Sequence, residues 1–153
     1  MNKSVIISGG SQGIGKALVK KFLKEGFNVY TCGRDANKLT RLENEFSNTG
    51  LKTFVADLSQ KNQVLDFANW ILAQEKSIDV LINNSGFFLP GQIQNEEDGV
   101  LEAQIQANLY SAYHLTKAFL PSFQAKKSGH IFSICSTASI TAYTAGGSYC
   151  ISK

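Results

Sequence analysis

Short apolar runs alternate with amphipathic helical patterns along this chain, and that alternation restricts the possible fold more than any other feature of the sequence. The first run, Val5, Ile6 and Ile7, reads as a buried strand. It passes through a glycine-rich turn at residues 8–15 into a helix with Ile14, Ala17, Leu18 and Phe22 on one face. Residues 27–31 read as a second strand closed by Cys32, Gly33 and Arg34, and Asp35 is placed to cap a helix bearing Leu39, Leu42 and Phe46. A third strand at 51–56 ends at Asp57, and Ser59 is expected to cap a helix carrying Val64, Phe67, Ala68, Ile71 and Leu72. Val80, Leu81 and Ile82 form a fourth strand that runs into Asn83, Asn84, Ser85 and Gly86. A long helix over 100–119, with Leu101, Ile105, Leu109 or Asn108, Ala112 and Leu115 inward, is expected to kink or end at Pro121. Residues 130–134 complete the series as a fifth strand.

This order predicts an α/β fold: a Rossmann-like, doubly wound parallel sheet of five strands with helices on both faces. The 153 residues suit one domain, 1–153, with a core of its own. Hydrophobic content of 43% and charged content of 18% fit a globular chain rather than a disordered one. The net charge of +3 is mild, and its densest clusters (Lys20, Lys21 and Lys24; Lys126 and Lys127) have no interleaved aromatic platform. They read as solvated faces, and no nucleic-acid partner is expected. No apolar run approaches the roughly 20 residues of a membrane span, and no signal-peptide core precedes the first strand. Cys32, Cys135 and Cys150 lack CxxC spacing and point to reduced thiols in a cytoplasmic setting. His114 and His130 have no partners at metal-ligand spacing, so no metal is expected.

In doubly wound sheets ligands sit outside the carboxyl ends of the strands. The exceptional residues of this sequence fall there: the glycine-rich turn, Gly33 with Arg34, Asp57, residues 83–86 and Ser136. The turn places glycines at 9, 13 and 15, a GxxxGxG spacing rather than GxGxxG. A strand, such a turn and a helix together aim unsatisfied N–H groups and the positive helix end at an anion. A ligand-free β-to-α turn is the plainer alternative, and the clustering at the strand ends argues against it. Gly33 leaves space where an acid would repel phosphate, and Arg34 can fork onto a 2′-phosphate, so NADP(H) is the preferred cofactor. Asp35, which also suits a helix cap, keeps NAD(H) open.

Taken in order, these motifs resemble the short-chain dehydrogenase/reductase (SDR) family in its compact form, along the whole chain. Ser8, Gly9, Gly13, Ile14 and Gly15 match the family's TGxxxGIG turn, with serine for threonine. Asn83, Asn84, Ser85 and Gly86 match its NNAG stretch, with serine for alanine. Asp57, with Leu58 beside it, stands where the family contacts the adenine ring, and Asn108 falls where the family places an asparagine on the long helix. Ser136, Tyr149 and Lys153 match the family's serine and YxxxK. The resemblance implies hydride transfer between NADP(H) and a small carbonyl or alcohol substrate, with Asn108, Ser136, Tyr149 and Lys153 catalytic. It implies cofactor contacts from Gly9, Ser11, Gln12, Gly13, Ile14, Gly15, Arg34, Asp57, Leu58, Asn84, Ser85, Gly86, Tyr149 and Lys153. Lys153 would also bind the nicotinamide ribose, Asn108 would position a water, and the full-length form would be a homodimer or homotetramer.

The chemistry can also be argued directly. Tyr149 and Lys153 are four residues apart and share a helix face if the helix begins near residues 145–148. An ordinary tyrosine holds its proton too tightly for acid–base work near neutral pH, and a neighbouring cation favours the phenolate. Ser136 can donate to a carbonyl oxygen on which charge grows as hydride arrives. The spacing alone is weak, because Tyr113 and Lys117 repeat it. Ser136 stands thirteen positions before Tyr149, whereas Val100 stands thirteen before Tyr113, so Tyr113 reads as helix packing. Ser133, Thr137 and Ser139 read as local hydrogen-bonders, Cys135 as core-facing and Cys150 as packing. Family members continue well beyond the YxxxK lysine, so the chain is expected to be the N-terminal part of a longer domain. The competing readings are a non-catalytic dinucleotide-binding module or an inactive truncated fragment; intact Ser136, Tyr149 and Lys153 favour the reductase.

Overall fold

The first strand, β1 (Ser4–Ser8), is buried along its whole length, which explains its unbroken apolar run: helices cover it from both sides. The computed structural model describes residues 2–75 and 77–153. In them β1 is followed by α1 (Gly13–Lys24), β2 (Asn28–Gly33), α2 (Ala36–Glu45), β3 (Leu51–Val55), α3 (Lys61–Leu72) and β4 (Val80–Asn83). Then come α4 (Val100–Ile105), a π-helical turn (Gln106–Tyr110), α5 (Ser111–Lys126), β5 (His130–Ser133) and α6 (Gly147–Ser152). The five strands are parallel in the order β3-β2-β1-β4-β5, so the direction of winding reverses beside β1. Register is in step: Ile6 lies between Tyr30 and Leu81.

Strand alternation divides the core in two. Ile6, Tyr30, Cys32 and Leu81 face α3 and α5 through Phe67, Ile71, Leu115 and Phe119. Val5, Ile7, Val29, Val80 and Ile82 face α1 and α2 through Val19 and Leu42. No helix among the described residues is long and apolar enough to cross a membrane.

Several local expectations change. The inner face of α1 is Gly15, Leu18, Val19 and Phe22, while Ala17 is exposed and Ile14 is 61% exposed. Asp35 does cap α2, accepting from Lys38 N at 3.1 Å. Ser59 caps nothing: α3 starts after Gln60, and Ser59 donates its N–H and Oγ–H to Asp57 Oδ1 at 3.0 and 2.8 Å. Pro121 does not end the long helix, which runs to Lys126 with Phe119 and Phe123 on either side of the proline anchored in the core. Its inward residues are Gln104, Asn108, Ser111, Leu115, Phe119 and Phe123, whereas Leu101 and Leu109 are exposed. Of the alternatives Leu109 and Asn108 it is Asn108 that turns inward, and the buried positions keep regular helical spacing through the π-helical turn. Tyr113 is exposed on α5, outside the core, with its ring edge-on to His114 at 5.3 Å between centroids and Lys117 Nζ 6.0 Å from its centroid. β5 is exposed throughout at the sheet edge, with Phe132 51% exposed. Cys135 is exposed too, because regular strand geometry stops at Ser133 and its alternation does not reach residue 135. Cys150 is half-buried against Gly146, in keeping with packing.

At the other end of the sheet, Asp79 joins three strands and a helix. Its carboxylate accepts from Ser4 N at 2.8 Å and pairs with Lys126 Nζ, its N–H donates to Ser4 O, and its carbonyl accepts from His130 N. Lys126 is therefore tethered rather than freely solvated, while Lys20, Lys21 and Lys24 are exposed. Burial alone would raise the Asp79 pKa, but the bonds from Lys126 and Ser4 outweigh it and hold the carboxyl below its ordinary value. A depressed folded-state pKa stabilises the fold above the unfolded pKa of about 4 and stops doing so as pH falls through the folded value. Asp79→Asn is therefore expected to cost about 1 kcal/mol in urea unfolding at neutral pH, with the gap to wild type closing progressively below about pH 4.

Candidate functional site

The site forms where β1 and β4 end side by side. Ser8 Oγ accepts from the N–H groups of Asn84 and Ser85 at 2.9 and 2.8 Å, and Asn84 Nδ2 donates to the carbonyls of Ser8 and Gly9 at 2.9 and 3.2 Å. From the opposite side Thr31 Oγ1 donates to Ile7 O at 2.6 Å and accepts from Gly10 N at 3.0 Å. The glycine-rich turn is thus fastened to both neighbouring strands. It needs glycine for two separate reasons. Gly9 and Gly13 take φ of +70° and +56°, while a Cβ on Gly15 would lie 2.2 Å from Gly9 O and 2.6 Å from Asn84 Nδ2.

Around this turn opens a cleft of about 320 Å³. Gly9, Ser11, Gln12, Gly13, Ile14, Gly15, Arg34, Asp57, Leu58, Asn84, Ser85 and Gly86 all line it. Ile14 thus belongs to the cleft rather than the core, and a periodicity argument could not separate these placements. Phe87, Ala107 and Ser59 also line the cleft; sequence reasoning missed them, and only their nearness to Gly86, Asn108 and Asp57 hinted at it. Cys32 is fully buried beneath, and burial pushes its thiol up to about 12, which leaves it unreactive.

The cleft suits a dinucleotide. The first turn of α1 has no side-chain cap, so its N–H groups are available to an anion, and the space above Gly13 holds no protein atom within 4 Å of a built Cβ. Arg34 is exposed at the tip of β2 and makes no hydrogen bond or ion pair among the described residues, and Gly33 beside it has no side chain. Asp35 is engaged as the cap of α2.

On the far side of Gly86, Asn108 sits within the π-helical turn, a form common at functional sites. Its Oδ1 accepts from Phe87 N at 2.8 Å, and its Nδ2 donates to Phe87 O at 3.0 Å and to Ser152 Oγ at 2.8 Å. A Cβ on Gly86 would stand 2.7 Å from Asn108 Oδ1 and 3.6 Å from Lys153 Nζ, so the cleft and the helix bearing Tyr149 share a wall at that glycine. Lys153 Nζ donates to Ile134 O at 2.8 Å. Ser136 caps the 3₁₀ turn Thr137–Ser139, which packs on α6; its Oγ accepts from Ala138 N, which leaves its own proton to donate. The Tyr149 ring lies against Phe88 with centroids 4.7 Å apart. Lys153 N donates to Tyr149 O at 3.1 Å, and among the described residues no side-chain hydrogen bond links Tyr149 to Ser136 or to Lys153.

Sequence reasoning missed Glu96 altogether. Its carboxylate accepts from Ser148 N at 2.8 Å and from Ser148 Oγ at the start of α6. The signal was negative: Ala145, Gly146 and Gly147 offer that helix no side-chain cap of its own.

The profile of the family described as short chain dehydrogenase matches residues 3–153. The chain is 37% identical over 137 residues to "Dehydrogenase/reductase SDR family member 6" of Aquarana catesbeiana, covering 90% of this chain and 53% of that protein. It is 35% identical over 139 residues to an uncharacterized oxidoreductase, YvrD, of Bacillus subtilis, covering 90% and 52%. Among solved structures it is similar to a metagenomic short-chain oxidoreductase in complex with NADP, with TM-score 0.92, 32% identity, and coverage of 99% of this chain and 70% of that one. The chain spans about half the length of the curated relatives it matches.

The two glycine requirements separate experimentally. Gly15→Ala is expected to destabilise the fold by more than about 2 kcal/mol because backbone and Asn84 block its methyl, and Gly13→Ala by only about 1–2 kcal/mol of left-handed strain. Urea denaturation of both variants checks the order.

Proposed function

The chain belongs to the short-chain dehydrogenase family of oxidoreductases, and from that premise we propose that it transfers hydride between NADP(H) and a small carbonyl or alcohol substrate. The observation that carries the proposal is the wall at Gly86, where the cleft suited to a dinucleotide adjoins Asn108, Lys153 and the helix of Tyr149. When bound, the nicotinamide supplies or accepts the hydride.

The chain's own residues bind, orient and move the proton. The N–H groups of the glycine-rich turn and the first turn of α1 hold the diphosphate, with Asp57 and Leu58 beside the adenine. Arg34 takes the 2′-phosphate, for which Gly33 leaves room. The engagement of Asp35 with Lys38 N supports NADP over NAD, since that carboxylate is occupied as a cap. Ser85 and Gly86 carry the cleft toward α6. There Ser136 donates to the substrate oxygen and Tyr149 delivers or removes its proton. Lys153, one helical turn from Tyr149, holds positive charge near that proton and contacts the nicotinamide ribose. Asn108 has both amide protons engaged; it steadies α6 through Ser152 and keeps one Oδ1 lone pair for a water.

The test is loss of the reduced-nicotinamide absorbance on mixing protein, NADPH and a panel of ketones. Tyr149→Phe is expected to lower turnover at least about a hundredfold while NADPH affinity stays within about twofold. Arg34→Ala is expected to narrow the preference for NADPH over NADH by about tenfold or more. Retained turnover in the first variant, or equal affinity for both cofactors in the wild type, refutes the corresponding assignment. NADPH binding without oxidation of any ketone would favour a dinucleotide-binding module.

A further inference from the structure

Helix α6 begins with two glycines, Gly146 and Gly147, and has no side-chain cap of its own. The N–H groups of such a first turn need an acceptor from elsewhere. One comes from 52 residues upstream, in the loop between β4 and α4: Glu96 Oε1 accepts from Ser148 N at 2.8 Å, and Oε2 accepts from Ser148 Oγ. Both oxygens of this half-buried carboxylate thus fix the residue that immediately precedes Tyr149. A carboxylate at a helix N-terminus is also favoured by the peptide dipoles.

The surroundings are shaped around this contact. A Cβ on Gly147 would lie 2.0 Å from Glu96 Oε1 and 2.7 Å from Gly91 O, and Gly147 takes φ of +39°. Gly91 N donates to Ala145 O at 3.1 Å, a second stitch between the same two segments. The same loop supplies Phe88, whose ring packs against Tyr149. The far end of α6 is held by Asn108 through Ser152.

We propose that Glu96 is a positioning residue for Tyr149: by capping α6 across the loop it sets the direction of the phenol. The inference rests on the reading of Tyr149 as the proton-transfer group. Glu96 does not line the dinucleotide cleft, and the far end of α6 with Lys153 has anchors of its own in Ile134 O and in Asn108 through Ser152. The loss of Glu96 therefore acts on the chemical step rather than on cofactor affinity.

The experiment is ketone reduction by NADPH with wild type, Glu96→Ala, Glu96→Gln and Gly147→Ala, each checked by circular dichroism. Misplacing a reacting group by about 1 Å can cost about a hundredfold in rate. Glu96→Ala is expected to lower kcat about tenfold or more, with KM for the ketone and Kd for NADPH within about twofold. Glu96→Gln keeps an acceptor for Ser148 N–H and is expected to recover most of the rate. Gly147→Ala, which displaces the carboxylate without removing it, is expected to reproduce the kcat loss and serves if Glu96→Ala does not fold. Wild-type kcat in both Glu96→Ala and Gly147→Ala, a change confined to KM, or a glutamine variant as slow as the alanine one overturns the inference and leaves the role of Tyr149 intact. Unimpaired turnover in Tyr149→Phe overturns that role and the inference with it.

Discussion

One buried hydroxyl holds the working end of this molecule together. Ser8 Oγ accepts from two successive backbone N–H groups just past β4, where the sheet can no longer satisfy them. Each such bond contributes only about 1 kcal/mol net, but leaving either donor buried and unpaired costs about 1–3 kcal/mol. The clamp joins the first strand's turn to the fourth strand's loop, and Asn84 returns the contact through the carbonyls of Ser8 and Gly9. The cleft is the gap left between segments so tied: its floor is the glycine-rich turn, and its wall toward α6 is Gly86.

Beyond that wall the interior becomes polar. The part of the long helix nearest the site buries Gln104, Asn108 and Ser111, while Leu115, Phe119 and Phe123 further along pack into the apolar core. One helix thus does two jobs. Its second half stabilises the sheet by excluding water, and its first half organises backbone, with Asn108 on Phe87 and Gln104 accepting from Leu89 N. The π-helical turn lies at the junction and carries Asn108 itself. The short helix of Tyr149 is then held at both ends by side chains from other elements, Asn108 through Ser152 and Glu96 through Ser148.

How much of this was legible depended on what each residue answers to. Val5, Ile6 and Ile7 face a requirement that repeats along the strand, burial on both sides, and a linear pattern records it directly. Asp35 satisfies its cap within three residues, so its neighbours in sequence sufficed to identify it. Ser59 had an equally good local pattern, and Asp57 claimed it instead. Ile14 and Leu101 fit an apolar helical spacing yet are exposed, Ile14 on the cleft and Leu101 in the first turn of α4. Of Leu109 and Asn108 the polar residue is the one turned inward, because spacing marks a face and not what covers it.

The sequence by itself determined the order of strands and helices, the parallel sheet and the clustering of unusual residues at the strand ends, because these follow from short-range periodicity and from chain connectivity in a twisted sheet. Only the tertiary structure decided which polar side chains serve the site and which serve the fold. Asn84 lines the cleft yet also ties the turn, and Glu96, in a loop without regular pattern, becomes the cap of a helix 52 residues away. The physical reason is that a hydrogen-bond donor left open by local sequence takes whatever acceptor folding brings within reach, and that acceptor's position along the chain follows no period.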